Sequence, residues 1–224
     1  MAELQAEEII SKAMPSAVIS IECPGANSKG VYHNAVGLDV TELEAKQDIL
    51  FEILKKKGVL NIAIGDLGNE IGMGTLKEQL EEFIPYAGKG RCRCDCKGGI
   101  AAKVKADNII TATVSDWGCY GLIAALSYLK KDLSIMHTEK MEEQAMITAS
   151  RSGMIDMYGD LIPAIDGCSL EMNTSIVRLM RETVKSAIEN SEKCETWFHK
   201  VLELGFYEKN SSEDHEERIV KKII

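Results

Sequence analysis

The feature that most constrains this fold is a glycine-rich segment that follows an apolar, β-branched run without a break. The run Val59–Ile64 is predicted to be a buried strand, and glycine occupies four of the ten positions of the segment Gly65–Gly74 that follows it. Glycines permit positive backbone φ angles and let a loop lie close against its neighbours. Because open α/β sheets bind ligands at the carboxyl ends of their strands, this junction is the first candidate for a site.

Strands and helices are predicted to alternate along the chain. Two more segments, Ala17–Ile21 and Ile109–Val114, have the apolar, β-branched content of buried strands. Helices are predicted over residues 1–16, 41–57 (with a capping box at Thr41 and Glu44), 75–83, 117–130, 139–150, 173–190 and 195–204. This alternation predicts an α/β fold with a mostly parallel sheet flanked by helices. We expect one domain over residues 1–205 and a charged C-terminal tail over residues 206–224.

Composition and charge argue against several classes of protein. The formal net charge of −9 opposes binding to phosphate backbones and anionic lipids, so we expect neither a nucleic-acid nor a membrane partner. No apolar run is long enough to span a bilayer, and the first twelve residues are too acidic for a signal or transit peptide. Seven cysteines without a secretory signal indicate reduced thiols, and we therefore expect a cytoplasmic protein.

Each of the three predicted strands is followed by an acidic side chain. Asp66 and Glu70 follow the second strand, with Asn69 between them. Glu22 follows the first strand and Asp116 follows the third. Because parallel strands bring their carboxyl ends to one edge of the sheet, these acids are expected to lie near one another. Clustered carboxylates suit a hard divalent cation or general acid–base chemistry.

Simpler interpretations of these residues stay open. The segment after the second strand could be a glycine-rich turn with solvated acids, since such turns are common after strands. Ser115 or Asp116 could be only the N-cap of the next helix, which is the commoner role for both residue types. The glycine pattern matches neither the dinucleotide-binding fingerprint nor the phosphate-binding loop, because the residues that complete those motifs are missing.

Three cysteines stand at alternate positions in a basic loop. The spacing of Cys92, Cys94 and Cys96 would place their sulfurs on one face of an extended segment, where they could hold zinc or another soft metal. Standard zinc sites use two intervening residues and four ligands, so we take reduced surface thiols as the default and expect serine replacements to leave the fold intact. His33 could be a ligand or a base, although a lone loop histidine is more often neither.

The same residues resemble a known family, the D-glutamate cyclase C-terminal-like domains. The resemblance spans roughly residues 17–188 and is carried by the segments Ile64–Gly74, Val114–Gly118, Glu22–Gly25, Tyr32–Gly37, His137–Glu139 and Asp166–Gly167. It implies an α/β domain that converts D-glutamate, a small-molecule amino-acid substrate, to 5-oxo-D-proline by intramolecular dehydration. It also implies a divalent metal, manganese or magnesium, held by acidic groups.

The resemblance implies roles for individual residues. Asp66 and Glu70 are expected to bind the metal. Asp116 and Glu22 are expected to be catalytic, as a further ligand or a proton carrier, and Asn69 is expected to orient the substrate. Contacts to the substrate are expected from Gly65, Gly68, Asn69 and Asn34. Two alternatives stay open: a metal-dependent hydrolase of an amide or phosphate ester, and a non-catalytic subunit or ligand-binding module of a split enzyme.

The chain also departs from the family pattern. Cys23 stands where the family usually has arginine, Leu67 where it has glycine, and Asp116 where it has asparagine. The family's usual N-terminal strand–helix region is expected to be lacking, since only about sixteen residues precede the first strand. A three-stranded sheet leaves an edge uncovered, unless residues 101–104 or 161–165 complete it. We therefore expect a homo-oligomer, or a partner chain that supplies the missing region.

Overall fold

A three-stranded parallel sheet forms the centre of the protein. The computed structural model describes residues 2–190, 199–200 and 202–204. Strands β1 (Ala17–Ile21), β2 (Leu60–Gly65) and β3 (Asn108–Thr111) lie side by side in that order, and all pairs are parallel. This confirms the predicted α/β class. Neither segment considered above for completing the sheet, residues 101–104 or 161–165, forms a strand within the described residues.

Six helices surround the sheet in the described part of the chain. They are α1 (Ala2–Ala13), α2 (Gln47–Lys56), α3 (Lys77–Phe83), α4 (Ser115–Lys130), α5 (Glu139–Arg151) and α6 (Leu170–Asn190). None of these described helices has both the length and the apolar character needed to cross a membrane. Most of the helix predicted over residues 195–204, and the tail 206–224, lie outside the described residues.

The predicted start of the second helix was wrong. Helix α2 begins six residues after Thr41, and its N-cap is Lys46, which makes no side-chain capping bond. The Thr41 hydroxyl instead accepts the N–H of Tyr32 at 3.0 Å, so a tertiary contact removes the group that would cap the helix. Residues 41–43 form a turn and not the first turn of a helix.

Helices cover both faces of the sheet. Successive side chains of a strand point to opposite faces, and Ala63 packs with Phe51 of α2 while Ile64 faces Gly118 of α4. A Cβ atom at Gly118 would lie 2.8 Å from the Ile64 side chain, so this glycine lets α4 lie directly on β2. Helix α6 packs behind α4, and the Trp117 indole N–H donates a 2.8 Å hydrogen bond to Asn173 of α6. The order is therefore α2, sheet, α4 and then α6.

The long connection between β2 and β3 folds back onto the α2 side of the sheet. Its residues Ile71, Met73, Ile100 and Val104 are buried in one cluster with Phe51 and Ala63. Gly72 has a φ of +93°, and a Cβ atom there would lie 2.2 Å from the Ala63 Cβ. Only glycine combines this backbone conformation with so close an approach, so the loop position is fixed by the backbone itself.

One buried carboxylate holds the turn that follows β2. The Glu70 side chain is fully buried, and its two oxygens accept the N–H groups of Asp66 (2.9 Å), Leu67 (3.0 Å) and Gly68 (2.7 Å). Three backbone donors stabilise a negative charge that would otherwise be costly to bury. Glu70 therefore gives the glycine-rich loop its shape.

Replacing Glu70 by glutamine is expected to lower the free energy of unfolding by about 3 kcal/mol. An amide cannot accept all three N–H groups, and hydrogen bonds to charged acceptors contribute about 1.5–3 kcal/mol each. Urea denaturation of the two proteins measures the difference. Glu78→Gln on the exposed surface of α3 is the matched control, with a change of no more than about 0.5 kcal/mol. Equal stabilities for wild type and Glu70→Gln would contradict the anchoring role.

Candidate active site at the carboxyl ends of the strands

Three carboxylates meet where β1 and β2 end. Glu22, Asp66 and Glu70, which we call the acidic triad, each offer an oxygen that lies within 4.8 Å of the others. The pairing of Ile21 with Ile64 sets this arrangement, because it brings the residues after each strand to the same level. The Glu22 N–H donates to the Ile64 carbonyl at 3.1 Å and continues the ladder by one bond. The expected clustering of acids at these two strand ends is confirmed.

Burial and mutual repulsion change how the triad binds protons. Burial raises the pKa of the Glu22 carboxyl to about 7, against the opposing effect of a hydrogen bond from Ser115. Burial and a hydrogen bond with Glu70 raise the pKa of Asp66 to about 8. The Glu22 side chain stays accessible to solvent, which screens part of this effect. Glu22 and Asp66 therefore retain protons near neutral pH, and a bound cation would displace them.

The start of α4 completes one side of the site. The N-cap of α4 is Val114, which makes no side-chain capping bond, so the capping roles considered for Ser115 and Asp116 do not occur. The Ser115 hydroxyl instead donates to the Glu22 carboxylate. Burial raises the pKa of Asp116, and the negative charge of Asp166 raises it further. Helix α4 thus holds Glu22 in place and adds an acid of its own.

A cavity of about 500 Å³ has Asp116 and Asp166 in its wall, and the negative charges of these two residues act on Glu22 of the triad. Its lining includes Asp116, Tyr120, Glu142, Met146, Asp156 and Asp166. Its volume is at the small end of the range for ligand pockets, which suits a compact metabolite. The cavity wall carries several carboxylates, so a cationic group of a ligand would be attracted into it.

Asp166 belongs to the site although it was not among the predicted site residues. Its negative charge raises the pKa of Glu22, Asp66 and Asp116, so it lies near all three. The backbone of Asp166 has a φ of +48°, a left-handed conformation that aspartate tolerates better than most residues. The signal available in the sequence was the Asp166-Gly167 pair in a turn-rich stretch. Because this pair lies far along the chain from every strand end, it was not predicted to reach the site.

A second polar group in the cavity wall was also missed. The Tyr120 hydroxyl donates to Glu142 at 2.5 Å, and the other oxygen of Glu142 lies 3.2 Å from the Nε2 atom of His137. Burial raises the pKa of Tyr120, and the hydrogen bond to Glu142 adds to that increase. The phenol therefore stays protonated and can serve as a hydrogen-bond donor.

The predicted substrate-contacting residues all make contacts within the protein, at the end of β2 or in the loops around it. The Asn69 amide donates to the His33 carbonyl at 3.1 Å, and the Asn34 side chain accepts the N–H of Leu38 at 2.9 Å. Gly68 donates its N–H to the triad and accepts a hydrogen bond from Ala102 through its carbonyl. Gly65 is buried against the Glu70 carboxyl, where a Cβ atom would lie 2.9 Å from Cδ. Their contact with a substrate stays a prediction.

A second group of side chains that can bind metals lies next to Asn69, whose side-chain amide donates to the His33 carbonyl. His33, Cys92, Cys94 and Cys96, which we call the thiol–imidazole cluster, offer ligand atoms that all lie within 4.8 Å of one another. The cysteines are free thiols, as the default had it, but Cys92 and His33 are buried and Cys94 and Cys96 are half-buried, so the three thiols are less exposed than that default implied. The segment consists of turns and not of a strand, yet the cysteines still face one side while Arg93, Asp95 and Lys97 are exposed.

Two comparisons with known proteins give the family of the chain. The family model described as "D-glutamate cyclase-like, C-terminal" matches residues 2–181, which is well over half of the chain. The human protein named "D-glutamate cyclase, mitochondrial" is 35% identical over 113 residues, which are 50% of this chain and 17% of that protein. The chain therefore belongs to the D-glutamate cyclase-like, C-terminal family.

Proposed function

We propose that this chain is a lyase that converts D-glutamate to 5-oxo-D-proline by intramolecular dehydration. The observation that carries the proposal is the acidic triad, with its oxygens within 4.8 Å of one another, beside a cavity of about 500 Å³ with acidic walls. The name of the human relative supports the choice of substrate. We further propose a cytoplasmic location, which agrees with the six free cysteines of the described residues.

The reaction needs proton transfers and charge compensation but no redox cofactor. The α-amine nitrogen attacks the γ-carboxyl carbon, a C–N bond forms, a C–O bond breaks and one water leaves. The amine must first lose its extra proton, and the departing oxygen must gain protons. A carboxylate is a poor electrophile, so its negative charge must also be offset.

The acids of the site can supply the proton transfers. With a pKa of about 7, Glu22 can accept a proton from the ammonium group near neutral pH and return it to the departing oxygen. The Ser115 hydroxyl bonded to Glu22 restricts the orientation of that carboxylate. Asp116 and Asp166 carry the charge that would attract the substrate ammonium group.

The donor set fits a hard divalent cation such as magnesium or manganese. Magnesium and manganese prefer carboxylate oxygens as ligands. A cation would also offset the repulsion and the cost of burying charge that raise the pKa of Glu22 and Asp66. Asp66 would hold it, and Glu22 beside it would remain the proton carrier. Glu70, the other predicted ligand, already accepts three N–H groups, so only its remaining lone pair could contribute. When bound there, the cation would supply positive charge to offset that of the substrate carboxylate.

The direct test is an assay of purified protein with D-glutamate and manganese, followed by chiral chromatography of 5-oxoproline. We expect turnover of D-glutamate, and a fall in kcat/KM of about 100-fold or more in Glu22→Gln and Asp66→Asn, because the first removes the proton carrier and the second removes a ligand of the cation. Glu78→Gln is the matched control and should keep wild-type activity. Turnover of amides or phosphate esters in place of D-glutamate would favour the hydrolase alternative, and no turnover of any substrate would favour a non-catalytic module.

The pH dependence of manganese binding tests the triad independently of turnover. Since the pKa values of Glu22 and Asp66 are raised to about 7 and about 8, the cation must displace protons below those values. Affinity is therefore expected to rise with pH up to about pH 8, with proton release visible by calorimetry in buffers of different ionisation enthalpy. The proton release should shrink in Asp66→Asn. Binding that is independent of pH, or accompanied by proton uptake, would contradict the assignment.

The same raised pKa values predict how the stability of the metal-free protein changes with pH. The folded pKa of each acid lies above its unfolded value, so its contribution to stability is largest in acid and is lost as pH rises towards about 8. A saturating divalent cation should restore stability at the alkaline end of this range.

We also propose that the chain self-associates or binds a partner chain along its sheet. Strand β1 is an edge of the described sheet, and Ile19 and Ile21 are each 45% exposed. An exposed apolar edge strand tends to pair with another chain. Light scattering is expected to give a mass above that of one chain, and Ile19→Lys should shift it towards the monomer, whereas Leu129→Lys on α4 should not. A well-folded monomer that cyclises D-glutamate unaided would refute the proposal.

A further inference from the structure

The thiol–imidazole cluster is a separate site from the acidic triad, and the proposed lyase chemistry does not use it. We propose that His33, Cys92, Cys94 and Cys96 form a structural zinc site that fastens the loop 86–99 to the loop after β1. The proposal rests on the convergence of four ligand atoms from two loops that are far apart in the sequence. It stands whether or not the chain cyclises D-glutamate.

Four of the six distances between the ligand atoms match the edges of a zinc tetrahedron, and the other two are within 4.8 Å. Bonds of ~2.3 Å to sulfur and ~2.0 Å to nitrogen at tetrahedral angles imply about 3.8 Å between two sulfurs and about 3.5 Å between sulfur and nitrogen. The Sγ atom of Cys92 lies 3.6 Å from that of Cys96 and 3.9 Å from that of Cys94. The Nε2 atom of His33 lies 3.2 Å from the Cys94 sulfur and 3.5 Å from the Cys96 sulfur.

The number and type of ligands fit a structural site. Three thiolates and one imidazole make a complete tetrahedral set, with no position left open for water or substrate. His33 is fully buried and directs Nε2 at the sulfurs of Cys94 and Cys96. Soft sulfur ligands favour zinc over the magnesium or manganese expected at the acidic triad.

Neighbouring N–H groups support a negative charge on sulfur. The Gly98 N–H donates to the Cys96 sulfur at 3.3 Å, and the Asn27 side-chain amide donates to the same sulfur at 3.4 Å. Asn27 also donates to the Gly99 carbonyl at 2.7 Å, which fixes the end of the cysteine segment. Such donors around a metal-binding thiolate orient it and adjust its basicity.

The site would order a support of the glycine-rich loop. The carbonyl of His33 accepts the Asn69 amide, and the Asn69 carbonyl accepts the N–H of Gly25. Zinc at His33 therefore lies one residue and one hydrogen bond away from the loop that carries the acidic triad. The cysteine segment has no regular secondary structure, so a metal would supply the order that strands or helices supply elsewhere.

Metal analysis of the full-length protein tests the proposal. Protein purified without chelators and re-equilibrated with zinc is expected to hold one tightly bound zinc per chain by mass spectrometry. Cys92→Ser, Cys94→Ser and Cys96→Ser should each lower the zinc content at least tenfold, whereas Cys168→Ser, outside the cluster, should leave it unchanged. Glu22→Gln and Asp66→Asn should also keep the zinc, which separates this site from the acidic triad.

A second measurement uses the wild-type chain and does not depend on the variants folding. Alkylation followed by peptide mapping should label Cys92, Cys94 and Cys96 only after zinc is removed with a chelator, and removal should lower the midpoint of thermal unfolding. Three outcomes would overturn the proposal: no zinc retained by folded protein, zinc unaffected by the cysteine replacements, or a disulfide between Cys92 and Cys96 in place of the metal.

Discussion

The structure depends first on the hydrogen bonds between one buried carboxylate and three consecutive backbone N–H groups. Burying a charged group is costly unless it is hydrogen-bonded, and Glu70 meets that condition through the turn that follows β2. The turn then directs Asp66 towards Glu22 and lays Gly72 against β2. The position of the site and the packing of the long loop therefore have the same physical cause.

This arrangement of acids raises the electrostatic free energy of the folded chain. It brings several acids together at the end of a small sheet, where burial and mutual repulsion favour their protonated forms. Acids arranged only for stability would be spread over the surface. A cluster of groups with perturbed pKa values next to a cavity is instead typical of a functional site. Ser115 and Asp116 agree with this interpretation. Ser115 donates a hydrogen bond to Glu22, Asp116 adds a carboxylate near the cluster, and neither residue caps α4.

Much of the fold and part of the site could be predicted from the sequence because local patterns determine them. The β-branched runs marked all three strands, and parallel pairing then placed Glu22 beside Asp66. The remaining features depend on contacts between distant segments. Asp166 reaches the site from a turn far along the chain, and the cysteines gain a fourth ligand only because the loop carrying His33 folds against them. No pattern within either segment encodes such a meeting.

The parallel pairing of β1 and β2 also has a consequence for folding kinetics. Between the two strands lie 38 residues, so Glu22 and Asp66 come together only after a long crossover has closed. Closing such a loop costs chain entropy before the contacts it allows are gained, which makes contacts of this kind slow to form. A ligand that needs both carboxylates can bind only when this pairing is complete. Such a ligand should therefore slow unfolding and leave the rate of folding almost unchanged.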